Sequence, residues 1–179
     1  MLAVVAVVPD EDRAVPAVRA VSGGLVTMSE NSRVVAATPD QVWRVLADGW
    51  LYPLWVVGAT RMRDVDEHWP AVGSLLHHSV GVWPLTIDDD TEVLEATPPS
   101  LLRLRARAWP GGEAEVEIRI EPAEEGARIT IREDAVKGPG VLVPSPLRQP
   151  PLAWRNSEAL RRLAYLVERR EAGNDVGPA

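Results

Sequence analysis

The stretch Pro151–Glu171, PLAWRNSEALRRLAYLVERRE, carries the clearest periodic pattern of the chain. Its apolar residues recur at helical spacing, at Leu152, Leu160, Leu163 and Val167. This pattern predicts an amphipathic helix roughly 30 Å long, whose apolar face must be buried against another layer. Pro150 and Pro151 favour a helix start at this point, and Gly173 favours an end just beyond the stretch.

Asn156 interrupts the apolar face of this helix. Leu152, Asn156 and Leu160 are spaced by four residues, so they lie on one side of the helix. A polar side chain in that position must find a hydrogen-bond partner or face a cavity. Asn156 is therefore a candidate ligand-binding residue, and the alternative is that it holds a loop carbonyl.

The layer that the helix covers is predicted upstream, where the pattern changes to short strands. These strands are expected over residues 59–66, 74–82, 85–96, 101–108, 113–121 and 127–136. Apolar and charged residues alternate strictly through 113–121, which is typical of a half-buried antiparallel strand. Residues 25–36 make a plausible first strand, so the pattern predicts seven strands and an α+β fold.

Two short helices are predicted after the first strand. Thr38-Pro39-Asp40-Gln41 has the composition of a capping box with proline at the first helical position. Gly49 marks the end of this helix. The aromatic stretch Trp50–Trp55 around Pro53 follows, and it predicts a short second helix or a turn packed on the core.

Size and composition favour one globular domain. The chain has 179 residues, no cysteine and a net charge of −7. The absence of cysteine excludes disulfides, thiolate zinc sites and a cysteine nucleophile. The acidic balance argues against a nucleic-acid partner, because such proteins usually carry a basic stripe. Residues 1–24 and 173–179 lack a sustained pattern, and we expect a poorly ordered extension and a disordered tail there.

The N-terminal sequence indicates neither a signal peptide nor a membrane span. Met1–Val8 is apolar, but it lacks a basic region and Pro9-Asp10-Glu11-Asp12 follows at once. Eight residues are too few to cross a bilayer. We therefore expect a cytoplasmic protein without stable membrane insertion, either a monomer or a homodimer.

The order of strand, two short helices, six strands and a long helix resembles the helix-grip fold of the SRPBCC/START-like superfamily. The polyketide cyclase/dehydrase-like branch is the most similar part of that superfamily. The residues that carry the resemblance are 37–43, ATPDQVW; 90–95, DTEVLE, with Pro98-Pro99; and 155–160, RNSEAL. The resemblance covers residues 25–172 and implies a curved antiparallel sheet around the C-terminal helix, with an apolar cavity between them. Members of the superfamily bind lipids, sterols or polyketides there, and some cyclise or dehydrate a polyketide.

Glu133 and the histidine pair are the candidate catalytic residues. Glu133 continues the face of Ile129 and Ile131, so on strict alternation its carboxylate points inward, where it could act as acid or base. The alternative is a solvated carboxylate or one paired with an arginine. His77 and His78 point to opposite sides of the sheet, so only one can face a cavity and the two cannot share a metal. The candidate acid or base is His78, with His77 a ligand-binding candidate; a hydrogen-bonded sheet histidine is the alternative.

Aromatic residues near predicted strand ends and the second helix are candidate ligand contacts. They are Trp50, Tyr52, Trp55, Trp83 and Trp109. Core filling is the alternative, although indoles around a wide cavity would suit flat apolar ligands. Asp88-Asp89-Asp90 lacks the spacing and glycine of a calcium loop, so we expect a solvated acidic strand end and neither a metal nor a cofactor.

Three functions are compatible with these residues. The first is binding of a small hydrophobic or aromatic molecule, of lipid, isoprenoid or polyketide type, between the sheet and the C-terminal helix. An apolar segment from Val141 to Leu147 is expected to cover that cavity. The second is a polyketide cyclase or dehydrase that uses Glu133 or a histidine. The third is a partner-binding module that needs no ligand.

Overall fold

The computed structural model describes residues 29–82, 84–108, 112–137, 142 and 145–174. The strands are β1 (Ser29–Val35), β2 (Ala59–Val65), β3 (Leu75–Val82), β4 (Leu85–Thr97), β5 (Leu101–Ala108), β6 (Gly112–Ala123) and β7 (Gly126–Lys137). The helices are α1 (Pro39–Leu46), α2 (Tyr52–Trp55) and α3 (Ser145–Asn174), with a single 3₁₀ turn at Gly49–Leu51 before α2. The predicted extension 1–24 and residues 175–179 lie outside the described residues.

The seven strands form one antiparallel sheet in the order β1-β7-β6-β5-β4-β3-β2. Strands β2 to β7 are joined in sequence as neighbours, and β1 pairs with β7, with Ser29 opposite Glu133. This arrangement confirms the predicted α+β class and the helix-grip architecture. The sheet has β1 and β2 at its edges, and the chain passes from one edge to the other through α1 and α2.

The alternation predicted in β6 is confirmed. Ile118 and Ile120 are almost completely buried on the inner face, where they pack in the core with Ile129 of β7. The outer face carries cross-strand ion pairs, such as Arg103 with Glu115 at 3.4 Å. The period of two residues therefore separates an apolar inner face, which holds the core and the site, from a charged outer face.

Helix α3 lies against the inner layer through its predicted apolar face. Leu160, Leu163 and Val167 are no more than 2% exposed. Asn31 of β1 donates from Nδ2 to the hydroxyl oxygen of Ser157 at 2.9 Å, which ties the helix to the sheet edge. Neither α3 nor any other helix in the described part of the chain is long and apolar enough to cross a membrane.

The predicted start of this helix is wrong. The helix begins at Ser145, and Pro150 and Pro151 lie inside it. Each proline lacks the N–H that would bond the carbonyl four residues earlier, so a proline pair is expected at a helix start. Here the affected turn is exposed, with Leu147 at 70% and Pro150 also exposed, so water can satisfy those carbonyls.

The capping box that starts α1 is confirmed. The Gln41 N–H donates to Thr38 Oγ1 at 3.3 Å, and the Thr38 N–H donates to the Gln41 side-chain oxygen. Val42, Val45 and Leu46 of this helix are buried in the core. The cap therefore fixes where the chain leaves β1 and turns toward α2, which supplies one wall of the site.

Candidate functional site

A cavity of about 260 Å³ lies between the inner face of the sheet, α2 and α3. Its walls are mostly apolar, and the larger apolar side chains that line it are Trp55, Val57, Val80, Leu104, Val116 and Ile131. The space persists because facing positions carry small residues, Gly81 and Ala106 on the sheet and Ala159 on the helix. Gly58 and Arg107 are the exposed members of the lining, so the cavity reaches the surface between them.

Glu133 points into this cavity, as strict alternation predicts. The residue is 3% exposed and lines the cavity beyond Ile131 on β7. Arg155 of α3 also lines it, and its Nη2 donates to Glu133 Oε1. The alternative that the carboxylate pairs with an arginine is therefore the observed arrangement. Because the Arg155 side chain is 39% exposed, the ion pair extends from the buried wall toward solvent.

His78 lines the cavity as part of a buried polar chain. Its Nε2 lies 2.9 Å from Thr91 Oγ1, and that oxygen lies 3.2 Å from the hydroxyl of Tyr52. The rings of Tyr52 and His78 are 5.1 Å apart between centroids. Burial lowers the pKa of the His78 imidazole to about 4 and raises the pKa of the Tyr52 hydroxyl to about 12. Both side chains are therefore neutral at pH 7.

His77 lies on the other side of the sheet, as the alternation of neighbouring residues requires. Its Nδ1 is 2.7 Å from Asp90 Oδ1, and its Nε2 is 3.7 Å from Asp66 Oδ1. The structure therefore does not bring His77 to the cavity, and its two contacts are with carboxylates outside the cavity lining. Of the two histidines, His78 alone lines the cavity.

The candidate aromatic residues separate into three groups. Tyr52 and Trp55 of α2 are buried and line the cavity, with their ring centroids 5.4 Å apart. Trp50, in the 3₁₀ turn, is 58% exposed and is not part of the lining. Trp83 and Trp109 lie outside the described residues.

Asn156 faces the cavity rather than a loop. It is 4% exposed, it lines the cavity from α3, and its Nδ2 has no hydrogen-bond partner in the described part of the chain. The apolar segment expected to cover the cavity does not do so in its described part. Leu142 is 83% exposed and Leu147 is 70% exposed. Leu147 belongs to the first turns of α3 rather than to a loop.

Asp89 is a buried inward residue that the sequence analysis missed, since the whole acidic run was expected to be solvated. It is 5% exposed and pairs across the strands with His78. Its Oδ1 accepts from the Asp90 N–H at 2.8 Å, whereas its Oδ2 is buried without a partner. Burial raises the pKa of this carboxyl. The period of two through Asp89, Thr91 and Val93 was the available signal.

Comparison with known proteins assigns the chain to a family. Residues 27–168 match the family model described as polyketide cyclase / dehydrase and lipid transport. The chain belongs to this family. The search of curated proteins gave no match.

Solved structures support the assignment at the level of the fold. The CV1439 protein of Chromobacterium violaceum is 24% identical, with a TM-score of 0.57 over 79% of this chain and 97% of that one. A protein of Rhodobacter sphaeroides is 25% identical, with a TM-score of 0.60 over 79% of this chain and 93% of that one. The di-domain ARO/CYC StfQ of the steffimycin biosynthetic pathway is 15% identical, with a TM-score of 0.63 over 81% of this chain and 52% of that one.

The polar groups of this member of the polyketide cyclase / dehydrase and lipid transport family are few and individually placed. They comprise the Glu133–Arg155 ion pair, the neutral imidazole of His78, the amide of Asn156, the hydroxyl of Tyr52 and the exposed guanidinium of Arg107. Within the described ranges, no three histidine, aspartate or glutamate side chains are grouped to hold a metal ion. A cavity with these polar groups can bury an apolar ligand, orient it by hydrogen bonds and exchange protons with it.

Proposed function

We propose that the protein binds a small apolar or aromatic ligand, of lipid, isoprenoid or polyketide type, in the cavity between the sheet and α3. One observation carries this proposal: the space of about 260 Å³ has mostly apolar walls, and Asn156 Nδ2, which lines it, has no hydrogen-bond partner among the described residues. A buried amide N–H group without a partner costs free energy in the empty protein, and a bound ligand can relieve that cost. The volume lies just below the range of about 300–1,000 Å³ usual for ligand pockets, so it favours a compact ligand over a long acyl chain.

Filling the cavity is expected to abolish ligand binding. Ala159→Phe adds a ring to the α3 wall, whereas Ala153→Phe makes the same change on the same helix outside the lining. Native mass spectrometry of the purified protein, followed by denaturing extraction, should detect a stoichiometric small molecule in the wild type and in Ala153→Phe. The same molecule should be absent from Ala159→Phe. An empty wild-type protein that also fails to bind 8-anilinonaphthalene-1-sulfonate would contradict the proposal.

The second candidate is a cyclase or dehydrase of the polyketide type, which is favoured by the presence of Glu133 and His78 in one cavity. The walls would fold a poly-β-ketone chain into reacting geometry, and the carboxylate or imidazole would move a proton. Arg155 would hold the Glu133 carboxylate in one position through their ion pair.

Glu133→Gln separates this enzyme from a carrier. The amide keeps the shape of the side chain but cannot take up a proton, so turnover of a poly-β-ketone should fall about a hundredfold or more. Binding of the same compound should survive. Turnover at the wild-type rate in Glu133→Gln would remove this carboxylate from the mechanism, and a wild type that binds without turnover would identify a carrier. Binding of neither ligand nor substrate would favour a partner-binding module.

A further inference from the structure

We propose that His78 and Asn156 form a pair of hydrogen-bond donors by which the cavity selects ligands that carry a carbonyl oxygen. The inference rests on the proposed function and names the chemical class of its ligand. His78 is 3% exposed and Asn156 is 4% exposed, and both line the cavity. Both His78 Nδ1 and Asn156 Nδ2 are buried without a hydrogen-bond partner among the residues that the structure describes.

The position of the His78 proton follows from counting hydrogens in the buried chain. Each of the three side chains, Tyr52, Thr91 and neutral His78, carries one hydrogen that it can donate in a hydrogen bond. Two contacts join the side chains in the order Tyr52–Thr91–His78. If Tyr52 donates to Thr91 and Thr91 donates to Nε2, the imidazole proton is on Nδ1. Only the Nδ1–H group is then left without a partner.

The other tautomer is more costly. With the proton on Nε2, His78 donates to Thr91, and one hydroxyl hydrogen of Thr91 or Tyr52 has no acceptor. The bare Nδ1 is then also unsatisfied. Two buried groups are left without partners instead of one, and each such group carries a desolvation penalty. His78 therefore presents an N–H donor at Nδ1, and the Asn156 amide nitrogen carries donors in any case.

A site with surplus donors requires a ligand with acceptors. A carbonyl oxygen accepts up to two hydrogen bonds and brings no hydrogen of its own, whereas a hydroxyl group adds a further donor. A pure hydrocarbon would leave both protein donors unpaired. The preferred ligand is thus a compact apolar ketone or quinone.

Asp89 Oδ2 is a competing acceptor for the His78 proton within the described part of the chain. It is buried and unpartnered, and Asp89 pairs with His78 across the strands. However, Asp89 is not part of the cavity lining, and no hydrogen bond joins the two side chains. Separate substitutions of His78 and Asn156 therefore distinguish the two donors.

Calorimetric titration with 1-tetralone and tetralin, which differ only at the carbonyl, tests the proposal. Asn156→Leu continues the leucine face of α3, and His78→Phe keeps a ring of similar size; His77→Phe is the matched control on the outer face of the same strand. The ratio of tetralin Kd to tetralone Kd should fall about tenfold in each of the first two variants, as the loss of one hydrogen bond to a buried partner predicts. His77→Phe should leave the ratio unchanged.

The outcomes distinguish the two proposals. If wild-type protein binds 8-anilinonaphthalene-1-sulfonate but neither compound, the carbonyl class is overturned and ligand binding stands; if it binds none of the three, the proposed function fails. If both compounds bind and Asn156→Leu and His78→Phe leave the ratio unchanged, ligand binding stands and the donor pair is overturned. If the Kd ratio changes in Asn156→Leu but not in His78→Phe, the role of His78 as a donor is overturned. In that case ¹⁵N NMR of His78 shows whether Asp89 binds the imidazole proton. If His78→Phe does not fold, the ¹⁵N spectrum of the wild type decides its part, because a proton on Nε2 contradicts it.

Discussion

Replacing Gly126 by alanine should lower the free energy of unfolding by about 3 to 4 kcal/mol. Gly126 begins β7 with φ +133°, a backbone conformation that residues other than glycine rarely adopt. An added Cβ would lie 2.2 Å from the carbonyl oxygen of Val35 and 2.8 Å from the amide nitrogen of Ala37. Both contacts are with backbone, so the turn would have to move away from the end of β1.

Gly73 supplies the matched control for this substitution. Its φ is +86°, but an added Cβ would meet nothing within 4 Å. Gly73→Ala should therefore cost only the conformational strain, about 1 kcal/mol. Urea denaturation of both variants measures the difference. Equal losses in the two variants would show that the close approach of β1 to the β6–β7 turn contributes nothing.

The second large effect is a loss of stability at mildly acidic pH, caused by His78. Burial lowers the pKa of its imidazole in the folded protein from the ordinary value of 6.5 to about 4. Between these values the unfolded chain binds a proton that the folded protein does not. The contribution of His78 to the free energy of unfolding is therefore fully present above pH 6.5. It falls as the pH decreases toward 4, by about 3 kcal/mol in total.

Comparison of the wild type with His78→Gln isolates this contribution. The other titratable or charged groups around His78 are present in both proteins, namely Asp89, Asp90, Arg63 and His77. Burial raises the pKa of Asp89, which acts in the opposite direction and cancels in the comparison. Urea midpoints measured from pH 7 to pH 4 should decline more steeply in the wild type. Parallel curves would show that His78 remains accessible to protons in the folded state.

The local rules of the sequence predicted much of this structure, because they depend on residues close in the chain. The period of two placed Glu133 on the inner face, and the period near four placed Asn156 against the cavity. The capping box placed the start of α1. These features require only backbone geometry and the sign of each residue's hydrophobicity.

The parts that escaped prediction depend on distant residues or on exposure. The Arg155 partner of Glu133 comes from a different element, and the sequence could not name it. Trp50 was expected near the ligand, but the direction of a side chain in a short 3₁₀ turn depends on the packing of its neighbours. Asp89 was misjudged because a run of three acidic residues outweighed the alternation that passes through it.

The pairing of β1 with β7 has a consequence for the order of assembly. Strands β2 to β7 follow one another as neighbours and can pair as each emerges from the ribosome, but β1 must wait for β7. The cavity then needs α3 as well, because Arg155, Asn156 and Ala159 form one of its walls. Non-local closure of this kind is slow, since the intervening chain must lose entropy first. The ligand site is thus completed only after α3 has been synthesised and has packed on the sheet, so occupancy reports that the whole domain has folded.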